Sequence, residues 1–378
     1  MEKINSINNA TMETQNKIEE IHWGKKNELL WIGLAVIIAG FIAKIPQFQG
    51  TREDLFYERN VSFIFLPILM IYFNWKKGQV WNNLIVPFIV IALSIIYINW
   101  LPSGIKNTTS SLAFFHLPIM VWILLGYVFL GNKMDVFKNG IQYFRYSADL
   151  LLMSVIILLS GFLFMAMTMG LFKLIGIDTA FIIQNYILVW GLPAVPIIAT
   201  FIVQNNPQVV NKISPVIAKI FTPMVTLMLI LFLFGIIVTG KNLSKDREFL
   251  VVFNALLIGV MALIIFSLSE MSKVGRQPFQ LYTLLTLSVI TIILNSFALF
   301  AIVLRLLEFG LSANRIAVIG ADLFIFTHLI LVARKLFLFS KSLVNVSDVE
   351  ETAGKFLPIY FIWTAFVVFF IPILFGFQ

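Results

Sequence analysis

The segment RLLEFGLSANRIAVIGADLFIFTH is the stretch from which the fold of this chain is inferred. It places five ionisable side chains between or inside long apolar runs: Arg305, Glu308, Arg315, Asp322 and His328. Ionised groups are costly inside a bilayer and are therefore rarely accidental there. The pattern predicts two membrane-spanning helices joined by a short hairpin, and similar apolar runs make up most of the chain.

The composition excludes a soluble enzyme. Of the 378 residues, 60% are hydrophobic and 12% are charged, and the mean hydropathy is +0.94. Soluble domains carry about 25% charged residues. Apolar runs of about 18 residues or more recur from Leu29 onward, and each is long enough to cross the hydrocarbon core as a helix. Because the runs are continuous and do not alternate, helices are favoured over a barrel.

We therefore expect an all-α, polytopic membrane protein with eleven spans. The expected spans are Leu29 to Phe48, Asn60 to Phe73, Leu84 to Trp100, Leu112 to Leu130, Ala148 to Phe172, Phe181 to Val203, Pro215 to Val238, Phe249 to Leu268, Leu281 to Leu304, Ser312 to Val332 and Phe356 to Phe375.

The basic residues predict the orientation of these spans. The net charge is +8, and the Lys and Arg residues lie in short loops beside the spans, where they act as topology signals rather than as a nucleic-acid surface. Most of the 27 Lys and Arg residues fall on the side of the N-terminus. This bias predicts a cytoplasmic N-terminus, and an odd number of spans then places Gln378 outside.

A different structure is expected for each polar segment outside the spans. Residues 1–26 are too polar for a signal peptide and should form a cytoplasmic tail, either frayed or lying on the membrane surface. The remaining residues, 27–378, should form a single transmembrane domain. Asn132 to Asp149 mixes aromatic and basic residues, as an interfacial helix does. Ser342 to Lys355 is polar and locally acidic, so we expect it to be solvated, with partner docking as the alternative.

The hairpin itself can be predicted residue by residue. The first helix should end near Phe309, because Gly310 supplies the conformation that closes a helix, and Ser312 should cap the next one. Arg305 and Glu308 are three residues apart and are expected to form an ordinary interfacial ion pair.

Asp322 is the strongest candidate for a functional group. It should lie about 15 Å below Ser312, near the bilayer midplane. One reading is that Asp322 faces a polar cavity and takes up a proton or a cation. The other is that it only fixes packing against a neighbouring helix. Four more polar residues would belong to the same site only if they converge on it: His116, Asn254, Asn295 and, on another face, His328. Asn185 is a further amide inside a span.

The sixth span contains a predicted helix break. Gly191, Pro193 and Pro196 lie near its middle, so this helix is expected to be kinked or locally unwound. Broken helices form the binding sites of many transporters, although plain kinks are commoner.

The hairpin also carries a family resemblance. Its pattern is an Arg, an acidic residue, an aromatic residue and a Gly, followed by a polar residue before a second Arg; the matching residues are Arg305, Glu308, Phe309, Gly310, Asn314 and Arg315. Together with the terminal span, Leu357 to Phe375, this resembles an uncharacterised bacterial family of polytopic membrane proteins, the domain-of-unknown-function family forty-one fifty-three. The resemblance implies a multi-pass protein of a bacterial inner membrane and no particular activity.

Three function classes remain open. The preferred one is transport of a small solute or ion, with proton coupling through Asp322 and a path at the proline-containing helix. The second is a non-catalytic scaffold or regulatory subunit for a protein partner that the sequence does not identify. The third is a lipid-modifying enzyme that uses the polar crowding of Tyr143, Arg145 and Asp149. No cofactor or metal is expected, because the chain has no Cys and three His.

Overall fold

The computed structural model describes residues 25–50, 52–102, 108–131, 133–174, 179–239, 247–274 and 277–377. These ranges are helical and contain no β-strand, and eleven segments within them are long and apolar enough to cross a membrane. The predicted class, an all-α polytopic membrane protein with eleven spans, is confirmed. Most of the expected N-terminal tail, residues 1–24, lies outside the described residues. The cytoplasmic placement of the N-terminus stays a prediction.

Each predicted span lies mostly or entirely within one observed helix, and several helices are longer than the apolar run that predicted them. In chain order the helices are α1 Lys26–Gln49, α2 Glu53–Lys76, α3 Trp81–Trp100, α4 Thr108–Leu130, α5 Lys133–Leu174, α6 Ala180–Asn205, α7 Pro207–Thr239, α8 Arg247–Val274, α9 Pro278–Phe309, α10 Ala313–Ser340 and α11 Val346–Leu374.

The two largest hydrophobic cores formed by the described residues hold these helices together. The first lies among α1 to α6 and includes Tyr72, Phe73 and Leu125. The second lies among α7 to α10 and includes Ile264 and Leu329. Helices α5 and α11 contribute side chains to both cores and therefore join the two groups of helices. Many other Leu, Ile and Phe side chains point outward, as lipid-facing residues do.

The beginning of α11 corrects one expectation from the sequence. Residues Val346–Gly354, which we call the bridging helix, pack against α5, α8 and α10 rather than forming a solvated loop. Val349 and Ala353 are fully buried on one face, and Asn345 and Asp348 form a capping box at the start. The segment is amphipathic. Burial of its apolar face offsets the cost of packing a segment whose average composition is polar.

The segment before the fifth span, which was expected to form an interfacial helix, also differs from its prediction. It is the first part of the long helix α5, and Tyr143 and Tyr146 are buried against α4 and α6 instead of facing the membrane surface. The Tyr143 hydroxyl donates to the backbone carbonyl of Trp122, and the Tyr146 hydroxyl lies 2.7 Å from Thr200 Oγ1. The spacing of three residues puts both rings on one helical face, so they enter the first core together.

Candidate functional site

Asp322 and Asn295 meet in the interior of the second group of helices. Asp322 lies about 14 Å along α10 from its first residue and is 2% exposed. Asn295 of α9 is 0% exposed, and its Nδ2 donates a hydrogen bond of 3.5 Å to the backbone carbonyl of Asp322. The structure therefore brings together two of the residues that the sequence singled out.

The oxygen atoms at this contact lack hydrogen-bond donors. Oδ2 of Asp322 and Oδ1 of Asn295 are buried and accept no hydrogen bond, and the same is true of Oδ1 of Asn254 in α8. Buried polar atoms are nearly always paired, and leaving one unpaired costs about 2 kcal/mol or more. A proton on the carboxyl group, a cation or a buried water molecule can satisfy acceptors of this kind.

The register of α8 and α9 places Asn254 close to this level. Leu250 of α8 packs against Ala301 of α9, and the two helices run in opposite directions because only residues 275–277 join them. In this register Asn254 lies opposite a position of α9 that is about two residues from Asn295. Two residues correspond to about 3 Å along the helix axis. Asn254 shares a face with Leu250, four residues earlier, so it points toward α9.

The two histidines lie apart from this acceptor group. His328 of α10 is fully buried, stacks on Phe356 with 4.0 Å between the ring centroids, and makes a hydrogen bond of 2.9 Å between Nδ1 and the Tyr360 hydroxyl. His116 of α4 is half-buried, and its Nδ1 lies 2.8 Å from the carbonyl oxygen of Leu112 in its own helix. His328 therefore fastens α10 to α11, and neither ring contacts Asp322.

The hairpin between α9 and α10 forms as its sequence predicts. Helix α9 ends at Phe309, Gly310 has a φ of 73°, and Ser312 Oγ accepts the backbone N–H of Arg315. The Arg315 side chain donates to the carbonyls of Phe309 and Gly310, at 3.0 and 2.6 Å, and so satisfies the open end of α9. Asn314 is half-buried in the first turn of α10.

The expected ion pair between Arg305 and Glu308 is not formed. The Arg305 guanidinium instead lies 5.9 Å from the centre of the Phe309 ring, and the Glu308 side chain is exposed. Exposed ion pairs contribute little because water competes for both charges, whereas the aromatic face is already fixed beside the arginine.

Helix α6 is not unwound at the residues where a break was predicted, and a kink at those residues stays a prediction. The chain is α-helical from Val189 to Asn205, which includes Gly191, Pro193 and Pro196, and the irregularity is a π-helical turn at Ile183–Leu188. Proline removes a donor but keeps a helical φ, so the helix continues through both prolines. Lys44 of α1 donates to the carbonyl of Asn185 within the π-helical turn.

A second polar cluster, which sequence reasoning missed, ties α1, α2 and α6 together. Oε1 of Glu28 accepts hydrogen bonds from the Tyr72 hydroxyl at 2.7 Å, from Lys76 Nζ at 2.6 Å and from Asn205 Nδ2 at 3.0 Å. Tyr72 and Lys76 are four residues apart on α2 and therefore lie on one face of the helix. This spacing is the sequence signal from which the cluster could have been predicted. The side chain of Glu28 is buried, and its charge is fully compensated.

Arg145 organises a third cluster beside the bridging helix. Its guanidinium donates to Oγ and the carbonyl of Ser269 in α8 and to Oε1 of Glu350, all within 3.0 Å. Tyr143 points away from it into the first core. Tyr143 and Arg145, two of the three residues whose crowding suggested a lipid-modifying enzyme, therefore lie in two different environments.

Comparisons with protein-family models, curated proteins and solved structures find no match for this chain. The eleven apolar helices support an integral, multi-pass membrane protein. The resemblance to the uncharacterised bacterial family and the location in an inner membrane stay predictions.

Proposed function

We propose that this protein moves an ion or a small solute across the membrane and that Asp322 carries the coupling proton or cation. The observation that supports the proposal is the set of buried acceptor oxygens on Asp322, Asn295 and Asn254, which have no donor. An ionised carboxylate in the membrane interior needs a positive partner, and exchange of that partner between the two sides is the elementary step of transport.

The enclosure of Asp322 suggests an occluded form of the transporter. A carboxyl group that is 2% exposed exchanges its proton or cation only when a neighbouring helix moves. The amide of Asn295 holds the backbone of α10 at this level, and α9 and α10 pack closely along their length, so the movement must be that of other helices against this pair. In this proposal the carboxyl is loaded when such a movement opens a path to one side and is emptied when it opens a path to the other.

Flux through reconstituted liposomes tests the proposal. Vesicles that contain a pH-sensitive dye receive a proton, sodium or potassium gradient, and the wild type should dissipate at least one of the three. Asp322→Asn should bring the rate down to that of protein-free vesicles, because the amide cannot carry the charge. Glu308→Gln is the matched control, since it neutralises an exposed carboxylate and should leave the rate unchanged.

Two results would contradict the proposal. One is an unchanged rate in Asp322→Asn, and the other is the absence of any flux from the wild type under all three gradients. Infrared titration gives an independent measurement of the site: a carboxyl band that changes with pH or with the added cation should be present in the wild type and absent in Asp322→Asn.

A further inference from the structure

Lys44 is a cation inside a membrane-spanning helix that contacts no carboxylate among the described residues. It is 7% exposed; its Nζ donates to the carbonyl of Asn185 and lies 4.1 Å from the centre of the Tyr186 ring. The partly buried cations Lys76 and Arg145 instead each contact a glutamate. A buried ammonium group normally has a negative partner, so the charge of Lys44 is uncompensated within the described chain.

Lys44 lies near one end of α1, where the headgroups of a surrounding bilayer are expected. It is five residues before the end of α1 at Gln49, which corresponds to about 8 Å along the helix axis. Aromatic side chains surround it, with Phe48 68% exposed and Tyr186 50% exposed. Lysine together with exposed aromatic rings is typical of the membrane–water interface.

Exposed apolar side chains of α1 continue from Lys44 toward the middle of the helix. Ile37, Phe41 and Lys44 follow one face of α1 because they are spaced by four and three residues. Phe41 contacts the ring of Trp190 in α6, with 5.1 Å between the centroids, and is itself 52% exposed. Trp190 also lies against Gly40, where a side chain would leave no room for it, so α1 and α6 pack closely beside this apolar face.

The π-helical turn of α6 contacts Lys44 at the polar end of this apolar face. A π-helical turn redirects the carbonyls of a helix, and such turns occur frequently at functional sites. Here the Asn185 carbonyl receives one of the three N–H donors of Lys44, while Gln47 Nε2 donates to Asn185 Oδ1 at 3.4 Å. The lysine is thereby held in place, with two N–H donors left for a ligand.

We propose that Lys44 and the exposed apolar side chains beside it bind one anionic phospholipid, with its phosphate on the ammonium group and an acyl chain along Phe41 and Trp190. Charge complementarity selects the headgroup, and the exposed apolar side chains favour a lipid over a free oxyanion. A bound lipid of this kind contacts the helix that contains Pro193 and Pro196.

Native mass spectrometry of the protein released from mixed bilayers tests this proposal. In equal amounts of phosphatidylglycerol and phosphatidylcholine, the wild type should retain the anionic lipid with a preference of about fivefold at one site, the contribution of one lysine near the membrane surface. Lys44→Met should lose this preference, and Lys44→Arg should keep it. Lys26→Met removes an exposed lysine from the other end of α1 and should behave as the wild type.

The outcomes separate the lipid from other ligands. The proposal is overturned if Lys44→Met retains phosphatidylglycerol as the wild type does, or if a large excess of inorganic phosphate displaces the lipid. A photoreactive phosphatidylglycerol gives a test on the unmodified protein, which does not depend on the variants folding. Its crosslinks should concentrate on residues 37–48 and 181–190, and labelling spread evenly over all lipid-facing helices would also overturn the proposal.

Discussion

Glu28 and Asp322 are both buried carboxylates inside spans, but their surroundings differ. Glu28 accepts hydrogen bonds from three side chains, including a lysine, whereas Asp322 lies among acceptors and its Oδ2 has no donor. A charge that is fully compensated stabilises a fixed arrangement of helices. A group that lacks a donor must obtain one from elsewhere, which is why we propose a functional role for Asp322 and a structural one for Glu28.

Removal of the Glu28 carboxylate should destabilise the protein strongly. Glu28→Ala leaves the partly buried ammonium of Lys76 without its counter-charge, and we expect a loss of about 3 kcal/mol in the free energy of unfolding. Unfolding in mixed detergent measures this loss. A double-mutant cycle with Lys76→Ala is the control: the double variant should be more stable than the sum of the single losses predicts. Additive losses would show that the two side chains are not coupled.

At the scale of the element, the bridging helix depends on contact between two glycines. A Cβ atom on Gly140 of α5 would lie 2.5 Å from the backbone oxygen of Gly354, at the end of the bridging helix. No real Cβ contact is that short, and the atom opposite is backbone and cannot move aside by rotation. The contact fixes the bridging helix beside Arg145, whose side chain then reaches Glu350.

A pair of glycine substitutions in α5 tests this contact. Gly140→Ala should push the bridging helix away and lower the free energy of unfolding by about 1 to 3 kcal/mol, the usual cost of overpacking. Gly161→Ala lies in the same helix with open space around it and should be neutral or stabilising by up to about 1 kcal/mol, because alanine is the better helix former. Thermal unfolding compares the two. Equal effects would rule out close packing as the reason for glycine at position 140.

The sequence predicts elements well where the signal is local. The hairpin is determined by Phe309, Gly310 and Ser312, all within four residues, and it forms as expected. The bridging helix was mistaken for a loop because its apolar face consists of Val346, Val349 and Ala353, too small a set to raise the local hydropathy. The capping box of Asn345 and Asp348 was the local signal that would have revealed it.

At the scale of the whole molecule, hydropathy alone predicts that there are eleven spans, but it does not predict which helices pack against each other. The contact of Asn295 with Asp322 links residues on adjacent helices, and the proximity follows from the hairpin. Lys44 and Asn185 are separated by more than a hundred residues, and a π-helical turn makes their contact. Packing of this kind depends on how the side chains of neighbouring helices fit together. The hydrophobic periodicity of a single helix carries no information about the shapes of its neighbours.

The orientation of the bundle can be tested because the chain has no cysteine. Leu311, 71% exposed, and Leu343, 70% exposed, lie at opposite ends of α10. A membrane-impermeant maleimide applied to intact cells should label Leu311→Cys and leave Leu343→Cys unlabelled until the cells are broken, because the excess of Lys and Arg places the α10–α11 connection in the cytoplasm. The opposite pattern would reverse the predicted topology.

The bridging helix also has a consequence for the order in which the protein is made. Its partner on α5, Gly140, leaves the ribosome roughly 200 residues before Gly354, which at bacterial or eukaryotic speeds is a delay of about 10 to 40 s. During that time α1 to α6 can be inserted and can form most of the first core, while the face of α5 around Gly140 is not yet covered by the bridging helix. The two groups of helices are joined there only after the bridging helix has been made, so a chain that ends before it would have a first core without the side chains of α11 and an uncovered face on α5.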